Sequence, residues 1–191
     1  KLGGKVSPPV VVGDRVFVAE IDSHCVTCLD VDSGKPLWSY TADGAIDSPP
    51  TIHRGRAIFG CTDGSVYCLR AGDGELVWRF EAAPASRRIV SYGRLESAWP
   101  VHGSVLVEGS TVYFAAGRSS YLDGGIHLYA FGLDSGDLLH RARLQGPDVD
   151  LADESWFDGY NDVGGRGSLA DILQPFREGH CRICIDYLGG A

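Results

Sequence analysis

Short apolar, β-branched runs alternate with breaks rich in Gly and Asp over the first 145 residues. Val10-Val11-Val12 meets Gly13-Asp14 and continues as Arg15-Val16-Phe17-Val18-Ala19. Ala57-Ile58-Phe59-Gly60 meets Thr62-Asp63-Gly64-Ser65 and continues as Val66-Tyr67-Cys68-Leu69. Val105-Leu106-Val107, Glu108-Gly109-Ser110 and Thr111-Val112-Tyr113-Phe114-Ala115-Ala116 repeat the scheme. Runs this short, rich in Val, Ile, Tyr and Phe and closed by Asp-Gly or Gly-Ser, predict antiparallel hairpins rather than helices.

The scheme is an internal repeat. Ser7-Pro8-Pro9 returns as Ser48-Pro49-Pro50. Leu29-Asp30-Val31-Asp32-Ser33-Gly34 with Leu37-Trp38 returns as Leu69-Arg70-Ala71-Gly72-Asp73-Gly74 with Val77-Trp78. A third copy, Leu128 to Gly136, follows a long insertion and carries His140 where the others have Trp. A spacing of about 40 residues, with four short strands per unit, is the period of a β-propeller blade. The fold class is therefore all-β, a partial β-propeller of four-stranded antiparallel blades. Residues 1–145 hold three blades. Residues 146–191 read as an acidic loop and irregular tail, with Ser168–Leu173 a candidate start of a further blade; the pattern breaks near Gln174.

The segment Cys28-Leu29-Asp30-Val31-Asp32-Ser33-Gly34, closed by Trp38, resembles the tryptophan-docking repeat of the quinoprotein-like propellers, and Trp78 matches the same position. The resemblance runs from about residue 5 to 145. It implies that Trp38 and Trp78 each pack between neighbouring blades. That family includes quinone (PQQ) alcohol dehydrogenases and a non-enzymatic lipoprotein of outer-membrane assembly. Residues 116–126 also resemble uncharacterised exported propellers of this type, so the resemblance favours a periplasmic or extracellular location. The vicinal Cys-Cys of the quinone enzymes does not occur here. The resemblance thus implies related ancestry and gives little support for PQQ binding.

Composition narrows the partners. The 191 residues carry a formal net charge of −8, which argues against nucleic acid or an anionic membrane surface. No apolar run reaches the roughly 18 residues of a transmembrane helix. The sequence has no Met, from which an N-terminus produced by a cut is expected. Three repeats and a tail fall short of the larger propeller rings. The chain is then expected to be a fragment, or to close its open faces as a homo-oligomer.

Candidate chemistry comes from topology. In a four-stranded meander the second-to-third strand turns and the blade-to-blade links emerge on one face. That face is expected to gather Asp22, Asp63, Arg118 and Asp123 from turns, and Asp47, Arg87, Arg88, Arg94 and Glu96 from links. The longest excursions, 84–100 and 117–125, belong to it, and long loops on a rigid scaffold concentrate binding residues. Mixed carboxylates and arginines suit a carboxylate, a sugar or a divalent cation. Asp63, Glu96 and Asp123 are the metal candidates, with Ca²⁺ the one cofactor candidate, although Asp-Gly at 63–64 and 123–124 is also ordinary turn chemistry. His102 and His127 lie near the long excursions and are the candidate general bases; His53 and His140 are isolated.

Cys25-x-x-Cys28 and Cys181-x-x-Cys184, each preceded by His, have the spacing of a zinc knuckle. Residues three apart on a strand point to opposite faces, however. Cys28 aligns with Cys68 and Ala130, as a small buried packing slot would. No Ser-His-Asp spacing or phosphate loop is present. A binding or scaffold module for a protein or small molecule ranks first; a Ca²⁺-assisted propeller hydrolase and a relative of quinone-dependent dehydrogenases are the alternatives.

Overall fold

The computed structural model describes residues 4–146, and every regular element in that range is a β-strand. In the first sheet β1 (Val10–Val12), β2 (Arg15–Glu20), β3 (Cys25–Asp30) and β4 (Pro36–Thr41) pair in sequence order. The second sheet does the same with β5 (Thr51–His53), β6 (Arg56–Gly60), β7 (Ser65–Arg70) and β8 (Leu76–Glu81). A separate two-stranded hairpin follows, β9 (Arg88–Ser91) and β10 (Arg94–Ser97). The third meander is β11 (Leu106–Glu108), β12 (Thr111–Ala116), β13 (Ile126–Gly132) and β14 (Leu138–Leu144). The tail reading and the Cys181/Cys184 pair lie outside the described residues.

The three meanders share register in detail. In each, the third strand shifts against the fourth at one place, after Cys28, Cys68 and Ala130. Just before the shift those small residues stand opposite Trp38, Trp78 and His140. The sheets pack face to face. Phe17, Ala19 and Val26 of the first meet Phe59, Tyr67 and Leu69 of the second in one cluster. Ile58 and Val66 of the second meet Val112, Phe114 and Phe131 of the third in another. The short first strands converge, β5 touching both β1 and β11, so the sheets fan from a common axis. The described residues thus form a partial propeller, with three four-stranded blades among them.

Each inter-blade seam is closed by the same device. The Trp38 indole N–H donates to the Ala71 carbonyl at 3.1 Å, and that of Trp78 to the Leu133 carbonyl at 2.9 Å. The indole lies on a glycine of the next blade: a Cβ at Gly74 would come within 2.6 Å of Trp38, and one at Gly136 within 2.8 Å of Trp78. Both glycines have positive φ, 77° and 71°. A side chain there would meet backbone strain and steric overlap together. Beside each indole an arginine crosses the seam. Arg15 Nη1 donates to the Gly72 carbonyl at 2.7 Å, and Arg56 Nη2 to Asp134 at 3.0 Å.

Cys28, Cys61 and Cys68 are buried free thiols. Burial pushes all three up, Cys68 to about 12, so they serve as small packing groups. Cys25 is half-buried and sits 2.8 Å from Ser39 Oγ.

Candidate functional site

The link between blades 2 and 3 departs from the plain loop expected over 84–100. Residues Arg88–Ser91 and Arg94–Ser97 pair around a tight turn in which Tyr92 and Gly93 have φ of 48° and 78°. Two positive-φ residues in a two-residue loop fit the right-handed twist of the strands they join. Asn-Gly would have announced this turn. Tyr-Gly is no such signal, and the alternation on either side is too short to mark a strand.

One side of the hairpin faces the blades. Ile89 packs against the core shared by blades 2 and 3. Arg94 hydrogen-bonds Asp22 in the β2–β3 turn of blade 1, and Glu96 accepts from Arg118 in the β12–β13 loop of blade 3. Just before the hairpin, Arg87 pairs with Asp123 in that same loop at 2.8 Å. At its last residue the Ser97 amide donates to the Thr62 carbonyl of blade 2 at 2.8 Å, and just after it the Trp99 indole donates to the Asp123 carbonyl at 2.8 Å. The hairpin therefore grips all three blades. The buried anchor Trp99, 7% exposed, was not among the expected site residues, because it lies outside the repeat.

The other side of the hairpin faces solvent. Val90 and Leu95 are cross-strand partners, 76% and 60% exposed, and Tyr92 at the tip is fully exposed. Tyr121 and Leu122 on the 117–125 loop are 56% and 58% exposed. Alternation sets Arg88 on the same side as Val90.

The remaining candidates are tied into the scaffold. Asp63 accepts from the Ser65 amide at 2.7 Å, the Tyr67 hydroxyl at 2.6 Å and Arg79 at 3.0 Å, and its side chain is 4% exposed. Arg79 also pairs with Asp43 and lies over the Tyr67 ring. Burial, then the hydrogen bond to Asp63, pushes the Tyr67 hydroxyl up. His102 bonds Asp47, joining the two blade-to-blade links. His127 stands on β13, stacked with Tyr129 at 6.5 Å; burial, then the Arg143 charge, holds its imidazole below the usual range. A cleft of about 90 Å³ lined by Asp43, Asp63, Arg79, Glu81, Arg87 and Arg88 lies beside the hairpin.

The metal expectation does not fit this arrangement. Asp63, Glu96 and Asp123 are each neutralised by an arginine, namely Arg79, Arg118 and Arg87. Among the described residues no three of His, Cys, Asp and Glu come close enough to hold a cation. An arginine at each carboxylate supplies the charge that Ca²⁺ would otherwise supply. None of the described helices is long and apolar enough to cross a membrane, there being no helix in the range.

Solved structures of low identity share the fold. A europium-containing methanol dehydrogenase is 21% identical over 76% of this chain and 26% of its own length, with a TM-score of 0.59. The quinohemoprotein alcohol dehydrogenase of Comamonas testosteroni is 19% identical over 72% of this chain and 20% of its own, also with a TM-score of 0.59. BamB from Moraxella catarrhalis is 21% identical over 73% of this chain and 40% of its own, with a TM-score of 0.54. The chain thus spans well under half the length of these proteins. No curated protein matches it. Residues 1–156 match the family model described as outer membrane protein assembly factor BamB, and the chain belongs to that family of PQQ-like-repeat propellers.

Proposed function

We propose that this chain is a non-catalytic protein-binding module whose contact surface is the β9–β10 hairpin with the adjoining 117–125 loop. The observation that carries the reading is the crest of Val90, Tyr92 and Leu95, exposed to solvent on a hairpin held from beneath by Arg94–Asp22 and Glu96–Arg118. A monomeric surface seldom presents clustered large apolar groups without a use for them. Anchoring the hairpin to three blades removes most of the ordering cost of binding. Arg88 and the neighbouring cleft add cationic groups, which suit a partner segment with carboxylates.

The family supports a protein over a small molecule as the partner, since its description names an assembly factor. It also supports an exported location. No residue set among the candidates supports PQQ or hydrolysis: Asp63, Glu96 and Asp123 are tied to arginines, Asp47 to His102, and His127 stacks on Tyr129.

The test is affinity capture from a detergent extract of cell envelopes, comparing wild type with a Val90→Ser/Tyr92→Ser/Leu95→Ser variant of unchanged melting temperature. Wild type is expected to enrich discrete proteins at least tenfold over the variant, roughly 1.4 kcal/mol of binding. Equal capture by both would place the contact elsewhere.

A further inference from the structure

The cleft beside the β9–β10 hairpin gathers the carboxylates Asp43, Asp63 and Glu81 and the guanidiniums Arg79, Arg87 and Arg88. Most of them are already matched. Arg79 donates through Nη1 to Asp43 at 2.7 Å, through Nη2 to Asp63 at 3.0 Å and through Nε to Ser65 Oγ at 3.2 Å. Arg87 Nη1 pairs with Asp123 at 2.8 Å. Glu81 and Arg88 are left over. Both are exposed, and among the described residues neither side chain has a hydrogen-bond or ion-pair partner, each other included.

The backbone carrying these two charges is fixed. Glu81 closes β8, and the Ala82 and Ala83 amides that follow donate to the Gly64 carbonyl at 2.8 and 3.1 Å. Arg88 opens β9, and the Arg87 carbonyl before it accepts from the Ala98 amide at 2.9 Å. Ser97, also in the lining, is 4% exposed; its Oγ accepts from the Trp99 amide at 3.1 Å and donates to no described residue. The cleft therefore offers an unmatched anion, an unmatched cation and a hydroxyl proton. A simple anion drawn to Arg88 meets Glu81 and Asp43 in the same cleft, and a simple cation drawn to Glu81 meets Arg87 and Arg88. Like charge works against either, whereas a molecule carrying both charges satisfies both walls. A volume of about 90 Å³ is well below the roughly 150 Å³ that holds a benzene ring, so the enclosed part is a small head group.

We propose that this cleft binds the zwitterionic head of a free α-amino acid, its carboxylate on Arg88 and Ser97 and its ammonium on Glu81. A guanidinium presents two parallel N–H donors to a carboxylate, which suits Arg88 to that end of the ligand. The site lies at the base of the hairpin, apart from the crest of Val90, Tyr92 and Leu95, and does not depend on the reading above.

The test is a titration of the chain with glycine, glycinamide and N-acetylglycine at constant ionic strength, followed through backbone amide chemical shifts. Glycine is expected to give saturable shifts centred on residues 81–88 and 97. It should bind at least fivefold more tightly than glycinamide, which lacks the carboxylate, and than N-acetylglycine, which lacks the ammonium. Glu81→Gln should weaken glycine at least fivefold and leave N-acetylglycine unchanged. Arg88→Gln should weaken glycine as much and leave glycinamide unchanged. The Val90→Ser/Tyr92→Ser/Leu95→Ser variant should bind glycine as wild type does, whatever it captures, so the two readings fail separately. The proposal is overturned by a titration without saturable shifts at 81–88, or by single-charge analogues that bind as tightly as glycine. Glycine binding that survives both Glu81→Gln and Arg88→Gln overturns it too, as does its loss in a natively folded crest variant.

Discussion

Trp38 and Trp78 combine three contacts in one side chain: a hydrogen bond across the seam, a close approach to glycine and a ring contact with an aromatic neighbour. The neighbours are Phe17 at 5.9 Å and Phe131 at 6.2 Å. Trp38→Ala should lower stability by about 3 kcal/mol, read from urea unfolding, and Gly74→Asn by about 1–3 kcal/mol through overlap with the same ring. Glu96 is 8% exposed and answers Arg118. Glu96→Gln strands that guanidinium, at a cost of about 1–3 kcal/mol in the same assay. His127 has a depressed imidazole because burial, and then Arg143, oppose its charge. Protonation therefore favours the unfolded chain. The contribution of the neutral ring is complete above the ordinary pKa of about 6.5 and declines as pH falls through the lower native value. His127→Gln should flatten the fall in melting temperature between about pH 7 and pH 5; an unchanged slope would show that His127 does not cause it.

At the scale of elements, legibility followed the turns. The meander strands were readable because Gly13-Asp14, Asp63-Gly64 and Gly109-Ser110 mark reversals whose backbone needs are met by those residues. The β9–β10 hairpin was not readable, because its turn uses Tyr92 in the left-handed region, where a bulky residue is strained. Tyr92→Asn should relieve that strain and raise stability by about 0.5–1 kcal/mol, seen as a higher melting temperature. That the turns and links holding Asp22, Arg94, Glu96 and Arg118 alternate along the chain was legible, since a meander's connections follow from its strand order. Their pairing was not, because Arg94 and Asp22 lie 72 residues apart and nothing local links them. The arginines beside the candidate carboxylates were illegible for the same reason: carboxylates can be counted in a sequence, whereas the arginines that neutralise them are found only once the chain has folded.

For the whole molecule, blades alone would make a nearly one-dimensional array in which each sheet knows only its neighbours. The β9–β10 hairpin changes that wiring, because its arginine at one end and its glutamate further along reach the first and the third sheet directly. In a plain array the terminal units fray one by one. Here, loosening the first or the third sheet must also release a clasp that the other is holding. Hydrogen exchange in blades 1 and 3 should accordingly speed up together when Arg94→Ala cuts the clasp, and it should do so without any change at the Trp38 and Trp78 seams.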